Sequence, residues 1–305
     1  MTLSRRQFLA SSSFALAGAA VGPRLRAQAP APPVATAFTE LRRGVGIFTG
    51  NGGNIGYLVN DAGALAIDSQ FPDMAQIVVA GLKQRAPKGI EMLLNTHHHG
   101  DHTGGNQVFR GAVKRIVAQE KCIANHRRVA KEAGTEAQQS FAEVGFGESW
   151  SATFGDEKVW GHYYGPGHTG GDAVYTFEKA NVVHGGDLLF YRAHPNIDLA
   201  AGASAVNWIS VLEKVTKAHA DDTIYIFGHG AQGTATGRKA DVLYFRDYLS
   251  AAVDHARKGL AARKSKEEIR KVDVLKGFEQ VEPLNQRLSL AFVIGICVDE
   301  LSAKK

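Results

Sequence analysis

The chain reads Thr96-His97-His98-His99-Gly100-Asp101-His102 directly after an apolar run, residues 91–95, that predicts a β-strand. In an extended segment, side chains two residues apart point the same way, so His97 and His99 face one position and His98 faces away. Gly100 can adopt backbone angles that other residues resist, and it allows the chain to turn. Asp101 and His102 then come at the predicted start of a helix, where they can face a second position close to the first.

Three further residues of the same chemical type lie in glycine-containing loops later in the chain. His168 lies in a glycine-rich loop, residues 164–172, and Asp187 follows a predicted strand and two glycines. His229 stands between two glycines directly after a predicted buried strand. A lone histidine after a strand is more often a hydrogen-bonded core or surface residue. Here, however, four strand-end loops each carry a histidine or aspartate beside glycine. This repetition argues against the interpretation that all of these residues are ordinary hydrogen-bonded side chains.

Together these side chains offer imidazole and carboxylate ligands without a thiolate, a set that suits two borderline-hard divalent cations. The candidate metal ligands are His97, His99, Asp101, His102, His168, Asp187 and His229. Two such ions sharing a hydroxide can hydrolyse substrates at neutral pH, so the set predicts a reaction class. Asp101 is also the candidate catalytic residue, because a carboxylate there can receive the proton of the attacking water.

The hydrophobic pattern predicts an α/β (α+β) fold. Both halves of the chain place strands first, then a helix, another strand and a ligand-bearing loop. The predicted strands are residues 46–48, 54–59, 64–68, 91–95, 174–177, 181–184 and 223–227, and the predicted helices span residues 74–82, 206–215 and 242–256. This order predicts a sandwich of two sheets with helices outside and the metal loops along one edge.

The N-terminal residues predict export. Ser4-Arg5-Arg6-Gln7-Phe8-Leu9 resembles the twin-arginine motif, and a weakly hydrophobic stretch and Ala27-Gln28-Ala29 follow. We therefore expect a twin-arginine signal peptide at 1–29, the twin-arginine export machinery as a partner, and a periplasmic or otherwise exported protein. The alternative is a basic amphipathic helix. A linker at 30–37, a hydrolase domain at 38–260 and a C-terminal helical extension at 261–305 without a chemical motif complete the predicted organisation.

Composition excludes two classes of partner. Residues 1–29 hold four of the 35 basic side chains and none of the 30 acidic ones, so the rest of the chain is nearly neutral. A nearly neutral domain predicts no nucleic-acid partner. The longest apolar stretch is interrupted by serines and glycines, which predicts no membrane span. Cys122 and Cys297 each lie among apolar residues, so buried thiols are favoured over a disulfide.

With these motifs in place, the chain resembles the metallo-β-lactamase fold superfamily over about residues 40–250. The resemblance implies an αββα sandwich, in which two mixed β-sheets are flanked by helices, and a binuclear zinc site. In that site His97, His99 and His168 would hold the first ion, Asp101, His102 and His229 would hold the second, and Asp187 would bridge them. Asp68 looks like an aspartate of the superfamily that braces the site. The alternative for Asp68 is simply the end of a strand.

One departure bears on the substrate. True metallo-β-lactamases generally have Cys or Ser where this chain has Asp187, whereas Asp is the pattern of lactonases, glyoxalase-II-like thioesterases and phosphodiesterases. The resemblance therefore implies a zinc hydrolase that cleaves an ester, lactone, thioester or amide of a small-molecule substrate by means of a metal-bridging hydroxide. Three alternatives remain: a metallo-β-lactamase, an iron-dependent sulfur or oxygen oxidoreductase of the same fold, and a non-catalytic metal-binding protein.

Residues near the ligands have more modest expected roles. Tyr191 and His194 follow Asp187 in a loop that we expect to hang over the site, which makes them candidates for oxyanion support or substrate contact. His98 is expected to be solvated or to act behind the ligands, and His184 to be a hydrogen-bonded core histidine. The glycine-rich residues 50–53 lie between strands and are a candidate flap over the pocket.

Overall fold

The computed structural model of the chain describes residues 35–303. The predicted signal peptide lies outside the described residues, as does the predicted linker up to residue 34. The strands are β1 (Ala37–Arg42), β2 (Val45–Thr49), β3 (Ile55–Asn60), β4 (Gly63–Ile67), β5 (Ile90–Asn95), β6 (Arg115–Gln119), β7 (Val144–Phe146), β8 (Ser149–Phe154), β9 (Glu157–His162), β10 (Val174–Phe177), β11 (Val182–His184), β12 (Phe190–Tyr191), β13 (Ile224–Ile226), β14 (His229–Gly230) and β15 (Thr236–Gly237). The helices are α1 (Pro72–Arg85), α2 (Gly100–Thr103), α3 (Asn106–Arg110), α4 (Glu120–Ala133), α5 (Ala205–Ala218), α6 (Lys239–Ala261), α7 (Lys266–Ile269) and α8 (Leu290–Ala303).

Two mixed sheets form the centre of the molecule. The first has the order β1-β2-β3-β4-β5-β6-β7, with antiparallel pairs up to β4 and parallel pairs from β4 to β7. The second has the order β15-β13-β11-β10-β9-β8, and its β11–β13 pair is parallel. Parallel neighbours end on the same edge of a sheet, so the loops that follow them meet there. This edge carries the candidate site.

Hydrophobic side chains hold the two sheets face to face and the helices on their outer faces. Leu65 and Leu94 of the first sheet share one buried cluster with Tyr175 and Ile226 of the second. A second cluster joins the first sheet to α1, and a third joins the second sheet to α5, α6 and α8. Strand residues alternate between faces, so each sheet supplies both a central and an outer layer. The predicted αββα sandwich, an α/β fold with two mixed sheets flanked by helices, is confirmed.

The C-terminal segment is built into this sandwich. Only α7 and α8 are helical beyond residue 261 in the described part of the chain. Glu300 of α8 accepts hydrogen bonds from Ser204 Oγ (2.6 Å) and the Ala205 amide (2.8 Å) at the start of α5. The Glu282 amide donates to the Arg192 carbonyl (2.9 Å). The segment predicted as helical packing is therefore partly irregular and is anchored at two points.

Both cysteines are buried free thiols, as the sequence favours. Cys122 lies in the cluster under α1, and Cys297 lies in the cluster under α5 and α6. Among residues 35–303, every helix is too short or too polar to cross a membrane.

Candidate metal centre

All seven predicted ligands come together at one edge of the sandwich. His97, Asp101 and His102 follow β5, and Asp187 and His229 follow the parallel pair β11 and β13. The remaining two, His99 and His168, come from the loop after β5 and the loop before β10. We call these seven residues the metal centre. Residues from four loops meet there because both sheets end their parallel strands on this side.

The first group of ligand atoms consists of three imidazole nitrogens. His99 Nδ1 lies 3.1 Å from His97 Nε2 and 2.9 Å from His168 Nε2. Asp187 Oδ2 lies 3.5 Å from His168 Nε2 and 4.0 Å from His97 Nε2. One nitrogen from each ring and one carboxylate oxygen thus surround a single point, as a tetrahedral metal site requires.

The second group shares the same aspartate. Asp187 Oδ1 lies 3.0 Å from His102 Nε2 and 3.5 Å from His229 Nε2. Asp101 Oδ2 lies 3.0 Å from His229 Nε2. The two oxygens of Asp187 therefore face different groups, which is the arrangement of a bridging carboxylate.

Hydrogen bonds on the far side of the His97, His102 and His168 rings select the tautomer that binds a cation. Asp68, in a left-handed backbone conformation (φ 66°), accepts from His102 Nδ1 (2.7 Å), the Thr96 hydroxyl (2.7 Å) and the Thr96 amide (2.7 Å). Because the Thr96 hydroxyl donates to Asp68, it can accept from His97 Nδ1 at 3.1 Å. His168 Nδ1 donates to the Asn196 carbonyl (2.8 Å). The opposite nitrogens are left with lone pairs that face the centre.

The site also contains an atom that lacks a partner in the described protein. Asp187 Oδ1 is buried, and no donor among residues 35–303 is aligned with it, although His102 Nε2 is 3.0 Å away. A buried carboxylate oxygen without a hydrogen bond is costly unless a cation binds it. This orphan oxygen, the converging nitrogens and the absence of a nearby thiolate fit a pair of divalent cations.

Two glycines allow the backbone to approach the ligands closely. A methyl group added at Gly53 would overlap the His102 ring, and one added at Gly228 would overlap Asp187 Oδ1. The Gly53 amide donates to the Asp101 carbonyl (3.1 Å), and the Asn54 amide donates to the Gly228 carbonyl (2.9 Å). The base of the candidate flap at residues 50–53 is therefore fixed against the metal centre.

The electrostatics differ between the two groups. Burial, together with the imidazoles of His102 and its neighbours, holds the pKa of His97 well below its usual value. Burial also lowers the pKa of His168, to about 4. Burial would lower the pKa of His102 too, but Asp187, Asp101 and Asp68 raise it well above its usual value. The imidazoles of His97 and His168 are thus neutral at pH 7, whereas a cation that binds His102 in the second group displaces a proton.

The carboxylates are held ionised. Burial would raise the pKa of Asp101, but His102 and a hydrogen bond from His229 outweigh it and hold the pKa at about 2. The same opposition keeps the pKa of Asp187 well below its usual value, with His229 and His102 as the main causes. Both oxygen ligands are therefore anionic over the range in which proteins bind divalent cations.

A buried carboxylate fixes the loop that carries His168. Asp172 accepts hydrogen bonds from the Thr169 amide (2.8 Å), the Thr169 hydroxyl (2.5 Å) and the Gly167 amide (3.2 Å). Burial raises the pKa of Asp172 to about 7. The loop therefore has a defined conformation within the protein itself.

Asp198 contacts a predicted ligand, a contact that no pattern in the sequence predicts. His99 Nε2 donates to Asp198 Oδ2 at 2.9 Å. The hydrogen bond from His99, which outweighs the effect of burial, lowers the pKa of Asp198 to about 2. Asp198 is an anionic partner that orients the His99 ring.

Replacing Asp198 with Asn should weaken metal binding at the first group. The amide keeps the size of the side chain but removes the charge that supports His99, so we expect affinity to fall about 10- to 100-fold. Competition with a chromophoric chelator measures this affinity. The control is Asp222→Asn, which changes an exposed carboxylate that does not line the cavity. An unchanged affinity in Asp198→Asn would show that Asp198 has no influence on the ion.

The side chains of His98 and His184 are both buried behind the centre. His98 has no hydrogen-bond partner among the described residues for either ring nitrogen. Burial, with the neighbouring His99, lowers its pKa to about 3. His184 is hydrogen-bonded to the Asn54 carbonyl (3.0 Å) and the Gly186 amide (3.1 Å). His184 is thus the core histidine that the sequence predicts, while His98 is buried rather than solvated.

The expectation for Tyr191 and His194 is wrong, because neither residue lines the cavity over the metal centre. His194 is buried, with Nδ1 2.7 Å from the hydroxyl of Tyr248. Tyr191 packs its ring against Phe227. The loop after Asp187 does border the cavity, through Phe190 and residues 196–198, but it turns the side chains of Tyr191 and His194 away from it. Sequence distance from a ligand does not reveal which side chains of the loop face the cavity.

Burial of His194 has a consequence for stability at acid pH. Burial lowers its pKa to about 4, below the 6.5 of an unfolded histidine. The unfolded state therefore gains a proton first, and the stabilising contribution of His194, complete above pH 6.5, is lost as the pH falls towards 4. We expect His194→Gln to reduce the acid-induced loss of unfolding free energy by on the order of 2 kcal/mol.

Urea titrations of metal-free protein at pH 7 and pH 4.5 measure this difference. The control is His255→Gln, on the partly exposed α6 surface. Equal losses of stability in wild type and His194→Gln would contradict the assignment.

A cavity of about 850 Å³ opens onto the metal centre. Its lining includes His99, Asp101, Asp187 and His229, together with Asn51 and Gly52 of the candidate flap. The remaining lining comes from Phe71, Gly100, Phe190, Asn196, Ile197, Asp198 and the C-terminal residues Leu284, Asn285, Arg287, Leu288, Phe292 and Ile296. The C-terminal segment, in which the sequence shows no chemical motif, thus forms part of the cavity, which is large enough for a small-molecule substrate.

Comparison with known proteins identifies the family. The family model of the metallo-beta-lactamase superfamily matches residues 49–229, which is more than half of the chain. The chain belongs to this superfamily. The matched range contains every residue of the metal centre.

Two curated relatives of this superfamily member are hydrolases. It is 25% identical over 175 residues to metallo-beta-lactamase type 2 of Bacillus cereus, a match over 56% of this chain and 64% of that protein. It is 31% identical over 137 residues to hydroxyacylglutathione hydrolase of Methylococcus capsulatus, over 45% of this chain and 48% of that protein. The chain thus spans less than two thirds of each.

A solved structure has the same fold. The metallo-beta-lactamase from Pontibacter korlensis superimposes with a TM-score of 0.60 over 71% of this chain and 99% of that chain. Sequence identity is 16%, so the likeness concerns the fold alone.

Proposed function

We propose that this protein is a metal-dependent hydrolase with two zinc ions that cleaves an ester, lactone, thioester or amide bond of a small-molecule substrate. The observation that carries the proposal is Asp187, whose two oxygens face the two separate groups of imidazoles. In binuclear hydrolytic sites, a carboxylate lies between two groups of ligands in this way, so that each of its oxygens can bind one of the two metal ions. Imidazole and carboxylate ligands suit zinc, and they also suit iron.

The residues fall into distinct roles. His97, His99 and His168 would hold the first ion, and Asp101, His102 and His229 the second, with Asp187 between them. Bound ions would supply Lewis acidity towards a carbonyl and lower the pKa of a water molecule. Asp101 is ionised and half-exposed to the cavity, so it can accept the proton that the water loses and pass it to the leaving group.

The surrounding protein orients these groups. Asp68 and Asp198 fix the rings of His102 and His99 from behind. The glycine loops bring backbone close to the ligands without side chains that would block the cavity. Ligands held on strand ends by buried hydrogen bonds need little rearrangement during reaction, which lowers the barrier.

A panel of nitrocefin, a lactone, a thioester, an aryl ester and a phosphodiester, assayed with zinc-loaded and chelated protein, tests the proposal. We expect chelator-sensitive turnover of at least one carbonyl substrate, restored by zinc. Turnover that survives complete removal of metal would contradict it, as would inactivity towards every substrate.

A second candidate function is β-lactam hydrolysis. The 25% identity to metallo-beta-lactamase type 2 over 175 residues favours it. Two observations favour thioester or ester hydrolysis instead. The identity to hydroxyacylglutathione hydrolase is higher, at 31%, although it covers a shorter stretch. The chain also has Asp187 at the bridging position. Nitrocefin and thioester turnover on one sample separate the two. One iron per chain without hydrolysis would favour a sulfur or oxygen oxidoreductase instead.

We also propose export through the twin-arginine machinery to the periplasm or beyond. Arg5 and Arg6 within Ser4-Arg5-Arg6-Gln7-Phe8-Leu9 support this, together with a weakly hydrophobic stretch. Replacing Arg5 and Arg6 with Lys should retain the protein in the cytoplasm, as fractionation would show. Unchanged fractionation of that variant would contradict the route.

A further inference from the structure

The cavity over the metal centre has a wall outside the family match. Leu284, Asn285, Arg287, Leu288, Phe292 and Ile296 line it, whereas the match ends at residue 229. We call residues 284–296 the C-terminal wall. Because this wall and the metal centre border the same cavity, a substrate whose scissile bond lies at the centre contacts the wall with its remaining atoms.

The C-terminal wall presents an apolar stripe. Leu288, Phe292 and Ile296 all line the cavity: Leu288 is largely buried and precedes α8, whereas Phe292 and Ile296 lie one turn apart on the helix. Side chains at this spacing share one helix face. Phe292 and Ile296 are half-buried, while Val293 and Ile294 beside them are fully buried in the core. The helix therefore turns one hydrophobic face to the core and a second to the cavity.

The wall is held in place by the two anchors already described. The Glu282 amide and carbonyl bond to Arg192 and His194, respectively, just before the wall begins. Glu300 ties α8 to the start of α5 one turn beyond Ile296. An apolar surface fixed at both ends is a preformed binding surface, since it cannot collapse to cover itself.

Arg287 adds a cation to this wall. It is exposed, and no carboxylate in the part of the chain that the structure describes forms an ion pair with it. Among the lining residues it carries the one permanent positive charge. The lining carboxylates are engaged elsewhere: Asp101 and Asp187 face imidazoles, and Asp198 accepts from His99. The Arg287 guanidinium is therefore available for an anion from outside the protein.

We propose that the C-terminal wall selects the substrate: the stripe of Leu288, Phe292 and Ile296 binds its hydrocarbon part, and Arg287 binds a carboxylate. The preferred substrate is then an acyl compound that carries both an aliphatic chain and a carboxylate. This inference rests on the proposed function, because it takes the metal centre as the place where the bond is cleaved.

Binding to metal-free protein tests the wall without turnover. Calorimetry would compare butanoate, octanoate and octanamide, which separate chain length from charge. Half-burial of each methylene corresponds to about a twofold gain in affinity, so octanoate should bind at least tenfold more tightly than butanoate. Phe292→Gln should reduce this ratio at least about threefold, whereas Val274→Gln, at an exposed apolar residue outside the cavity, should leave it unchanged.

The role of Arg287 has its own comparison. Arg287→Gln should weaken octanoate but leave octanamide unchanged, and Arg263→Gln, which removes an exposed cation outside the cavity, should affect neither. Equal weakening of both ligands would overturn the assignment of the anion. Equal affinity of wild type for butanoate and octanoate would overturn the proposal that the apolar stripe binds the hydrocarbon part of the substrate.

Kinetics on zinc-loaded protein separate this inference from the proposed function. The aryl ester of octanoate should have a higher kcat/KM than that of butanoate, as the longer acid has the higher affinity, and Phe292→Gln should reduce this difference. Chain-length-dependent binding without any ester, lactone or thioester turnover would support the wall and refute the hydrolase. If neither turnover nor binding depends on chain length, the hydrolase function is supported and the role of the C-terminal wall in substrate selection is refuted.

Discussion

Asp187→Asn should abolish hydrolysis while leaving the fold intact. The amide preserves the volume of the side chain but cannot serve two cations as a bridging anion. Replacing a residue behind a ligand typically costs 10- to 100-fold, so losing a shared ligand should lower kcat/KM at least about a thousandfold. Metal content should fall from two ions to at most one per chain. Steady-state kinetics and elemental analysis on the same preparation measure both effects.

The structure also predicts what Asp187→Asn should do to stability. A ligand that binds only the folded state raises the unfolding temperature by mass action, so zinc should stabilise wild type more than the variant. Asp221→Asn, at a fully exposed carboxylate beside Lys239, is the matched control and should behave as wild type. Wild-type kcat/KM together with two bound ions in Asp187→Asn would show that this residue does not bridge the groups.

Gly53→Ala should reduce both the metal content and kcat/KM, by less than Asp187→Asn does. The added methyl group would overlap the His102 ring, which is buried and hydrogen-bonded to Asp68, so the ring must shift. Overpacking of this kind costs about 1–3 kcal/mol of stability. A displaced His102 no longer faces the second group, so we expect one ion per chain and at least about a hundredfold loss of kcat/KM.

Gly147→Ala is the matched control for this substitution, because open space surrounds that position. Its metal content and kcat/KM should equal those of wild type. Affinity at the first group should survive in Gly53→Ala, since His97, His99 and His168 do not contact the new methyl group. Two ions and full activity in Gly53→Ala would contradict the close approach between the loop and the ring.

The sequence was sufficient for the parts of the site that depend on strand ends. Each ligand follows or precedes a strand with a clear apolar pattern, and the glycines beside it mark a sharp turn. Side chains alternate in direction along an extended segment, and this alternation correctly predicted that His97 and His99 face the site while His98 does not. Parallel strands then bring these loops to one edge in any sandwich of this order. The placement of the ligands was predictable because it follows from local pattern and topology.

Contacts between distant loops were not predictable in this way. Asp198 reaches His99 across 99 residues of chain, from an irregular segment without periodicity. The same segment carries His194 away from the cavity and towards Tyr248. Loop direction depends on tertiary contacts such as the bond between His194 and Glu282, which no pattern within the loop expresses.

The C-terminal wall was hidden for a different reason. The apolar residues of α8 surround the helix, so periodicity does not distinguish a face that contacts the core from one that lines a cavity. Strands β7 to β9 also went unpredicted, since β8 alternates exposed and half-buried residues with few strongly apolar positions. Only the packing of these elements against the rest of the molecule reveals their roles.

The number of zinc ions bound to the folded protein distinguishes a bridged binuclear centre from a single-ion site. Native mass spectrometry of the protein, titrated with zinc after complete chelation, counts the ions bound to each chain. We expect two zinc ions per chain in wild type, with the second lost in Asp187→Asn. A single ion in wild type at saturating zinc, or two ions retained by Asp187→Asn, would contradict a binuclear centre bridged by this aspartate.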